Sequence, residues 1–255
     1  MNVRLLHRGN RKVVLTDAGR GYVASCRRIV EEIADVERTA AGEYRAPQGE
    51  LTISLPAVLG RTHVLPIIVE FQRAFPDITV RMQLTDRFVS LLDEHVDVAV
   101  RIGELADSDA IATRVGLIRQ ILCASPAYLE RRGAPKTPAE LATHDCIMHA
   151  GEVSPPCWAF VADGTAQVIE APSRLSVNLG EAAVAAAVAG AGIARVLSYL
   201  IEDSLKSGSL VALLEGFERA PFAVSVIYPS QRQVPLKLRA FLDFAVPRLT
   251  SRLET

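Results

Sequence analysis

Between residues 16 and 41 apolar side chains recur at Ala18, Tyr22, Cys26, Ile29, Ile33, Val36 and Ala40, at spacings of 4, 4, 3, 4, 3 and 4. This alternation is the seam of a coiled coil and predicts a helix. At 1.5 Å per residue the helix reaches roughly 35 Å, too long to stand alone in water. Its other face carries Arg27, Arg28, Glu31, Glu32, Asp35 and Arg38, as a solvated face should. A narrow apolar stripe on so long a helix calls for a partner helix, and a second copy of the chain is the simplest source. Tyr22, Cys26, Ile29, Ile33 and Val36 are then the dimerisation residues. Packing of the same stripe on the chain's own domain is the alternative. Thr16 is placed to cap the helix and Asp17 to complement its dipole, although Gly19 stands where a capping box would have Glu. Gly42 ends the helix, and residues 42–49 read as a linker.

Ahead of the helix, two short strands are expected around the turn Arg8-Gly9-Asn10-Arg11, with Gly9-Asn10 suited to positive φ. The chain as a whole carries a net charge of −1, but residues 1–45 hold nine Lys/Arg against six Asp/Glu. A basic tip on a mildly acidic body suggests that one end meets phosphate. The stretches Val3-Arg4-Leu5-Leu6-His7-Arg8 and Leu15-Thr16-Asp17-Ala18-Gly19 closely resemble the wing and the start of the linker helix of LysR-type transcriptional regulators. In that family they follow a helix-turn-helix whose recognition helix reads the major groove while the wing touches the backbone. The resemblance implies a DNA partner, with Arg8, Arg11, Lys12 and Thr16 as backbone contacts. Met1 stands where the family would be leaving its recognition helix. The expectation is therefore a wing remnant without base readout, binding DNA only weakly and salt-sensitively by itself.

From Gly49 onward short apolar strands alternate with helical stretches. Strands are expected at 51–55, 79–84 and 96–102, a loop at 56–60, a helix bearing Leu65, Ile68, Phe71 and Phe75 on one face, and a short helix near Val89-Leu92. This βαβαβ order implies a parallel sheet with helices on both faces. A second unit begins near Ala124-Ser125-Pro126, with strands near 146–149, 158–161, 175–178 and 192–196 and a helix over 180–189. A strand at 223–228 then crosses back, and a last helix covers 236–249. The expected fold is α/β, a two-lobed, periplasmic-binding-protein-like effector domain behind a β-hairpin and a long dimerisation helix. Its divisions are 1–15 for the wing, 16–41 for the linker helix and 42–49 for the hinge linker. Residues 50–124 with 223–255 form the first lobe, and 125–222 the second. The family resemblance extends here through Asp97-Val98-Ala99-Val100-Arg101-Ile102-Gly103 and Ala124-Ser125-Pro126-Ala127-Tyr128-Leu129.

Ligands of such sheets sit beyond the carboxyl ends of strands, near helix N-termini. Leu59, Gly60, Arg61 and Thr62 follow the first strand, Asp86 and Arg101 lie at strand ends, and Asn178, Leu179 and Gly180 follow a strand of the second unit. The resemblance implies that matching positions line an inter-lobe cleft. A small anionic effector is expected there, with Arg61 or Arg101 as counter-charge. For Arg101 the alternative is an ion pair with Asp97, Asp86 or Glu104, and for Asn178 a helix N-cap.

Sharper chemistry finds no footing. Gly190-Ala191-Gly192 follows a helix instead of opening one, so helix C-capping explains it better than dinucleotide binding. His144, Cys146 and His149 cannot share one face of a strand. The cysteines Cys26, Cys123, Cys146 and Cys157 form no C-x-x-C pair and read as reduced thiols. Neither metal nor cofactor is expected, and with no nucleophile–base pair or P-loop the chain does not read as an enzyme. Mean hydropathy is +0.22, yet no apolar run reaches the length of a membrane span and the N-terminus lacks a signal-peptide core, so the cytoplasm is the expected compartment. The leading function is a transcriptional regulator, a dimer or tetramer sensing a small molecule. The competing functions are a binding protein with no DNA role and a dimerisation module that spoils intact relatives.

Overall fold

A computed structural model describes residues 3–8, 13–16, 18, 19, 21–23, 25, 26, 29, 30, 33, 46–87, 90–92, 94–105, 110–149, 157–230 and 234–253. Arg11, Lys12 and Val36, the turn at 9–12, the first half of the linker and the start of the short helix expected near Val89 lie outside these residues.

Strands β1 (Leu6–Arg8) and β2 (Val13–Leu15) pair antiparallel, His7 opposite Val14. The described residues from 18 to 33 are helical, as the seam requires. Thr16 caps this helix: its Oγ1 accepts the Gly19 N–H at 2.9 Å and donates to the Arg4 carbonyl at 2.7 Å. Both functions of the hydroxyl are thus engaged within the fold.

The first sheet has the order β4-β3-β5-β14-β6, built from β3 (Gly49–Leu55), β4 (Ile78–Leu84), β5 (Val98–Ile102), β6 (Ala110–Ile118) and β14 (Phe222–Pro229). β3 runs parallel to β4 and β5, but β14 is antiparallel to β5 and β6. β3, β4 and β5 are parallel as expected, and the returning β14 makes the sheet as a whole mixed. Leu51, Ile53 and Leu55 alternate onto one face and pack with Val98, Val100 and Val226 under two helices, α1 (Leu65–Ala74) and the C-terminal Leu236–Leu253. Phe71 sits at the centre, 4.8 Å from Phe75 and 5.4 Å from Phe241, ring to ring.

The expected loop at 56–60 is instead helical. Ala57–Leu59 is one turn, Gly60–Val64 is a π-turn, and α1 continues from it without a break. The Leu65 N–H reaches back five residues to the Gly60 carbonyl. In a regular α-helix the Pro66 ring would collide with the carbonyl four residues back; the wider turn just before it accommodates the ring. It also shifts the phase. Val64, Ile67, Ile68 and Phe71 are buried, whereas Leu65 is 42% exposed and off the expected face.

The second sheet has the order β11-β8-β12-β7-β13, from β7 (Gln120–Ala124), β8 (Cys146–His149), β11 (Ser173–Val177), β12 (Ile193–Leu197) and β13 (Val211–Leu213). Since β7 pairs with β12 and β13, the lobes divide at Arg119, not at the expected 124. A hairpin of β9 (Cys157–Ala162) and β10 (Thr165–Glu170) covers part of this lobe. Asp163 and Gly164 form its two-residue loop with φ of 50° and 74°, the signature of a type I′ turn. Helices α2 (Pro126–Arg132), α3 (Gly180–Val188) and α4 (Glu202–Lys206) complete the lobe, and the C-terminal helix of the first lobe is α5. α3 ends as expected: Gly190 N–H bonds the Ala187 carbonyl and Ala191 N–H the Ala186 carbonyl, with Gly190 at φ 79°, a Schellman cap that only glycine enters without strain.

Two segments join the lobes, one at Arg119 and one at 214–221. They are tied together by Arg119, whose Nε and Nη2 each lie 2.8 Å from Glu218 and whose Nη2 also reaches Glu215 at 3.2 Å. This bidentate pairing raises the Arg119 pKa above its ordinary value.

Candidate functional site

A cavity of about 370 Å³ lies between the two sheets. From the first lobe it is lined by Pro56 and Val58, by Thr85, Asp86 and Arg87 after β4, and by Arg101, Ile102 and Gly103 at the end of β5. The second lobe contributes Gln120, His149, Leu179, Gly180 and Glu181, then Arg195 through Leu197, Tyr199 and Leu200. Crossing from one sheet to the other at these strand ends is what puts both lobes on one space.

The expected site residues separate here. Asp86, Arg101, Leu179 and Gly180 line the cavity. Leu59 and Gly60 do not: both are buried in the first lobe, and a Cβ on Gly60 would come within 2.1 Å of Leu55 Cδ1 and 2.6 Å of Leu84 Cδ2. Gly60 is needed for packing of the π-turn on β3 and β4. Thr62 donates its hydroxyl to the Val58 carbonyl at 2.9 Å, within its own helix. Asn178 is exposed and offers no side-chain cap; Leu179 occupies the N-cap position of α3. Arg61 is not a cavity wall. It spans the mouth instead, with Nη2 2.8 Å from Glu181 Oε1 on the opposite lobe.

Arg101 is 7% exposed. Its Nη2 donates to Ser54 Oγ at 3.2 Å and its Nη1 to the Val100 carbonyl at 3.3 Å. Burial pushes the guanidinium below the usual arginine value, with Glu94 pulling the other way. It stays a cation at any ordinary pH, and a charge so placed is stabilised by an anion brought into the cavity.

Sequence reasoning missed the counterpart on the second lobe. Arg195 lies on β12, its guanidinium 5.4 Å from the centre of the Trp158 ring and its Nη1 3.3 Å from the Ala159 carbonyl. Trp158, the only tryptophan, is buried as a platform under this arginine. No local signal distinguishes Arg195, because its neighbours come from other strands, Trp158 and Ala159 on β9 and Leu122 on β7. The acids of the cavity are both engaged: Asp86 Oδ1 accepts the Ala57 N–H at 3.0 Å, and Glu181 holds Arg61. Arg87, Arg101 and Arg195 line the same space. His149 lines the same space, and among the described residues no cluster of His, Cys, Asp and Glu is arranged to hold a metal. Among the same residues no helix is long and apolar enough to cross a membrane.

Fold and cavity together define a two-lobed α/β binding domain of the periplasmic-binding-protein type, carried behind a β-hairpin and a long helix. The family profile of the LysR substrate binding domain matches residues 45–250. The transcriptional regulator CrgA of Neisseria meningitidis serogroup C is 32% identical over 257 residues, covering 99% of this chain and 85% of that protein. A transcriptional regulator of Xanthomonas campestris pv. campestris is 32% identical, covering 98% and 74%. Among solved structures, CrgA, a LysR-type transcriptional regulator, superposes with a TM-score of 0.71 at 29% identity, over 97% of this chain and 84% of that one. The full-length Vibrio cholerae virulence activator AphB superposes with a TM-score of 0.69 at 28% identity, over 96% and 84%. The chain belongs to the LysR-type transcriptional regulators, and these relatives are named as regulators, not as enzymes.

Proposed function

We propose that this regulator senses a small anionic effector in the cavity between its lobes, held by Arg101 from the first lobe and Arg195 from the second. The observation that carries this is the pair of arginines on facing sheets around an otherwise largely apolar space. An anion bridging them favours the closed arrangement of the lobes over an open one, and such a differential preference is what lets a ligand shift a conformation. The proposed divisions are the wing at 1–15, the helix at 16–41, the linker at 42–49, a first lobe of 50–118 with 222–253 and a second of 120–221.

The output passes to DNA through the N-terminal part, with Arg8, Arg11 and Lys12 against phosphates, which places the work of the protein in the cytoplasm. Self-association runs along the helix through Tyr22, Cys26, Ile29, Ile33 and Val36. Support comes from Tyr22, Ile29 and Ile33, which are 44%, 52% and 53% exposed in the single chain and gain most from a partner helix. A thermal-shift screen of mono- and dicarboxylates, inorganic phosphate, neutral sugars and amines tests the effector class. Anions alone should stabilise, and Arg101→Gln or Arg195→Gln should abolish the shift. Stabilisation only by neutral or cationic compounds, or a shift that survives both substitutions, would overturn the reading.

A further inference from the structure

The connection from β4 to β5 has to return from the carboxyl end of one parallel strand to the amino end of the next, so it runs the whole length of the first lobe. Its first end is cavity wall. Thr85 N–H bonds the Leu55 carbonyl at 2.9 Å, Asp86 holds the Ala57 N–H, and Arg87 N–H is held by Thr85 Oγ1 at 3.2 Å. Its last end is a self-bonded turn: Glu94 N–H to the Ser90 carbonyl, His95 N–H to that of Leu92, and Val96 N–H to that of Leu91. His95 stands at φ 54°, a left-handed conformation, and carries its ring to the N-terminal helix. There His95 Nε2 lies 3.2 Å from Ser25 Oγ.

The direction of that bond is fixed by the serine. Ser25 gives its only proton to the Gly21 carbonyl at 3.0 Å, one turn back in its own helix, so its oxygen is left as an acceptor and His95 Nε2 is the donor. Gly21 leaves room for the ring: a Cβ there would lie 4.0 Å from His95 Nε2. Just beyond, Asp97 is pinned to β3, its Oδ2 accepting the Thr52 N–H at 2.7 Å and its N–H bonding the Thr52 carbonyl at 3.0 Å. The turn therefore hangs between a fixed point on the sheet and the helix. Among the described residues, the apolar cluster on this side of the sheet has only Val96, Ala99 and Ile227 as buried members, against nineteen on the other side.

We propose that the β4–β5 connection, anchored on the cavity at Thr85–Arg87 and on the N-terminal helix at His95–Ser25, transmits the state of the effector cavity to that helix. The proposal rests on the reading of the cavity as the effector site. What it adds is the route: one continuous stretch of chain touches both, so no change at the dimer seam is needed for the message to reach the helix. Because coupling between two sites is reciprocal, a change at either end must be felt at the other.

The test uses the full chain and no effector, so it stands or falls separately from the ligand screen. Amide hydrogen exchange is followed by mass spectrometry for the intact protein and for Ser25→Ala, Ser25→Thr and Asp86→Asn. Ser25→Ala removes the acceptor on a helical position that tolerates alanine, and should speed exchange at 85–87 as well as at 21–26, by a factor on the order of 5 or more. Ser25→Thr keeps the hydroxyl and should restore both. Asp86→Asn, at the cavity, should in turn speed exchange at 21–26. If Ser25→Ala alters only the helix and residues 94–97, and Asp86→Asn only residues 55–60 and 85–87, the two contacts are independent and the proposal is overturned.

Discussion

The two lobes solve the same burial problem differently. The first sheet puts nearly all its apolar side chains on one face, where Leu51, Ile53, Leu55, Val98, Val100 and Val226 meet α1 and α5 in one cluster. The second sheet divides its strands between two faces: Leu122 and Ala124 go to one cluster with Tyr128 and Trp158, Ile121 and Cys123 to another with Ala183 and Ala187. Period-2 alternation produces both results, and what differs is which face meets helices. A one-sided core leaves the other face free to carry small polar residues, and there Ser54 and Ser225 are buried with Arg101. A two-sided core instead leaves polar groups at its margins. Tyr128 hydroxyl accepts the Asp145 N–H at 2.9 Å and lies within hydrogen-bond distance of His144 Nδ1, at 3.1 Å. In the proposed reading of the cavity, the counter-charge for a ligand is a floor residue in the first lobe, and in the second a residue propped on a tryptophan.

The largest expected effect strikes the one-sided core. Phe71→Ala should cost about 3–5 kcal/mol in urea unfolding, because its ring neighbours Phe75, Phe241 and Phe244 are themselves large and cannot close the void. A loss below about 1 kcal/mol would mean that this core is not a single packed unit. Next comes Gly60→Ala, expected to destabilise by about 1–3 kcal/mol through overpacking against Leu55 and Leu84. If stability is unchanged and only ligand affinity falls, Gly60 belongs to the site after all.

For the second lobe the sharper probe is pH. Burial, helped by Arg132, holds the His144 pKa below its ordinary 6.5. The stability from this arrangement is therefore complete above pH 6.5 and is lost as pH falls through the lowered folded value, since the unfolded chain takes up the proton first. Half-buried His63 acts with the same sign in the first lobe. The fall in Tm between neutral and mildly acidic buffer should accordingly shrink in His144→Gln without vanishing; an unchanged fall would remove His144 from the account.

Between the lobes, Arg119→Ala should cost about 1 kcal/mol, as suits a half-exposed arginine paired with the largely covered Glu218. Smallest of all is the pair over the cavity mouth. Arg61 and Glu181 are 62% and 52% exposed, so a double-mutant cycle should give no more than about 0.5 kcal/mol, falling further with salt. A larger coupling would mean that the lobes are clamped shut before any ligand arrives.

Much of this was legible in the residues themselves. The helix seam, the Thr16 cap, the Gly190 cap and the strands at 51–55, 146–149 and 223–228 all follow from local pattern and turn chemistry. The Asp163-Gly164 hairpin went unread, although the pair is a standard I′ turn signal between two runs of strand formers. Four of the nine expected effector residues do line the cavity, because the rule about strand ends depends only on element order. Leu59, Gly60 and Thr62 fell to a misplaced helix start: the sequence shows Pro66 and suggests a first turn there, while the π-turn that accommodates it is visible only in three dimensions.

The sequence by itself determined the class of elements, their order and therefore the family, since periodicity and turn residues act over a few positions. Only the tertiary structure decided which arginines face each other. The partnership of Arg101 with Arg195, of Arg61 with Glu181 and of His95 with Ser25 depends on how strands cross between sheets and where a helix comes to rest. Those distances are set by packing of the whole chain, and no local stretch of residues encodes them.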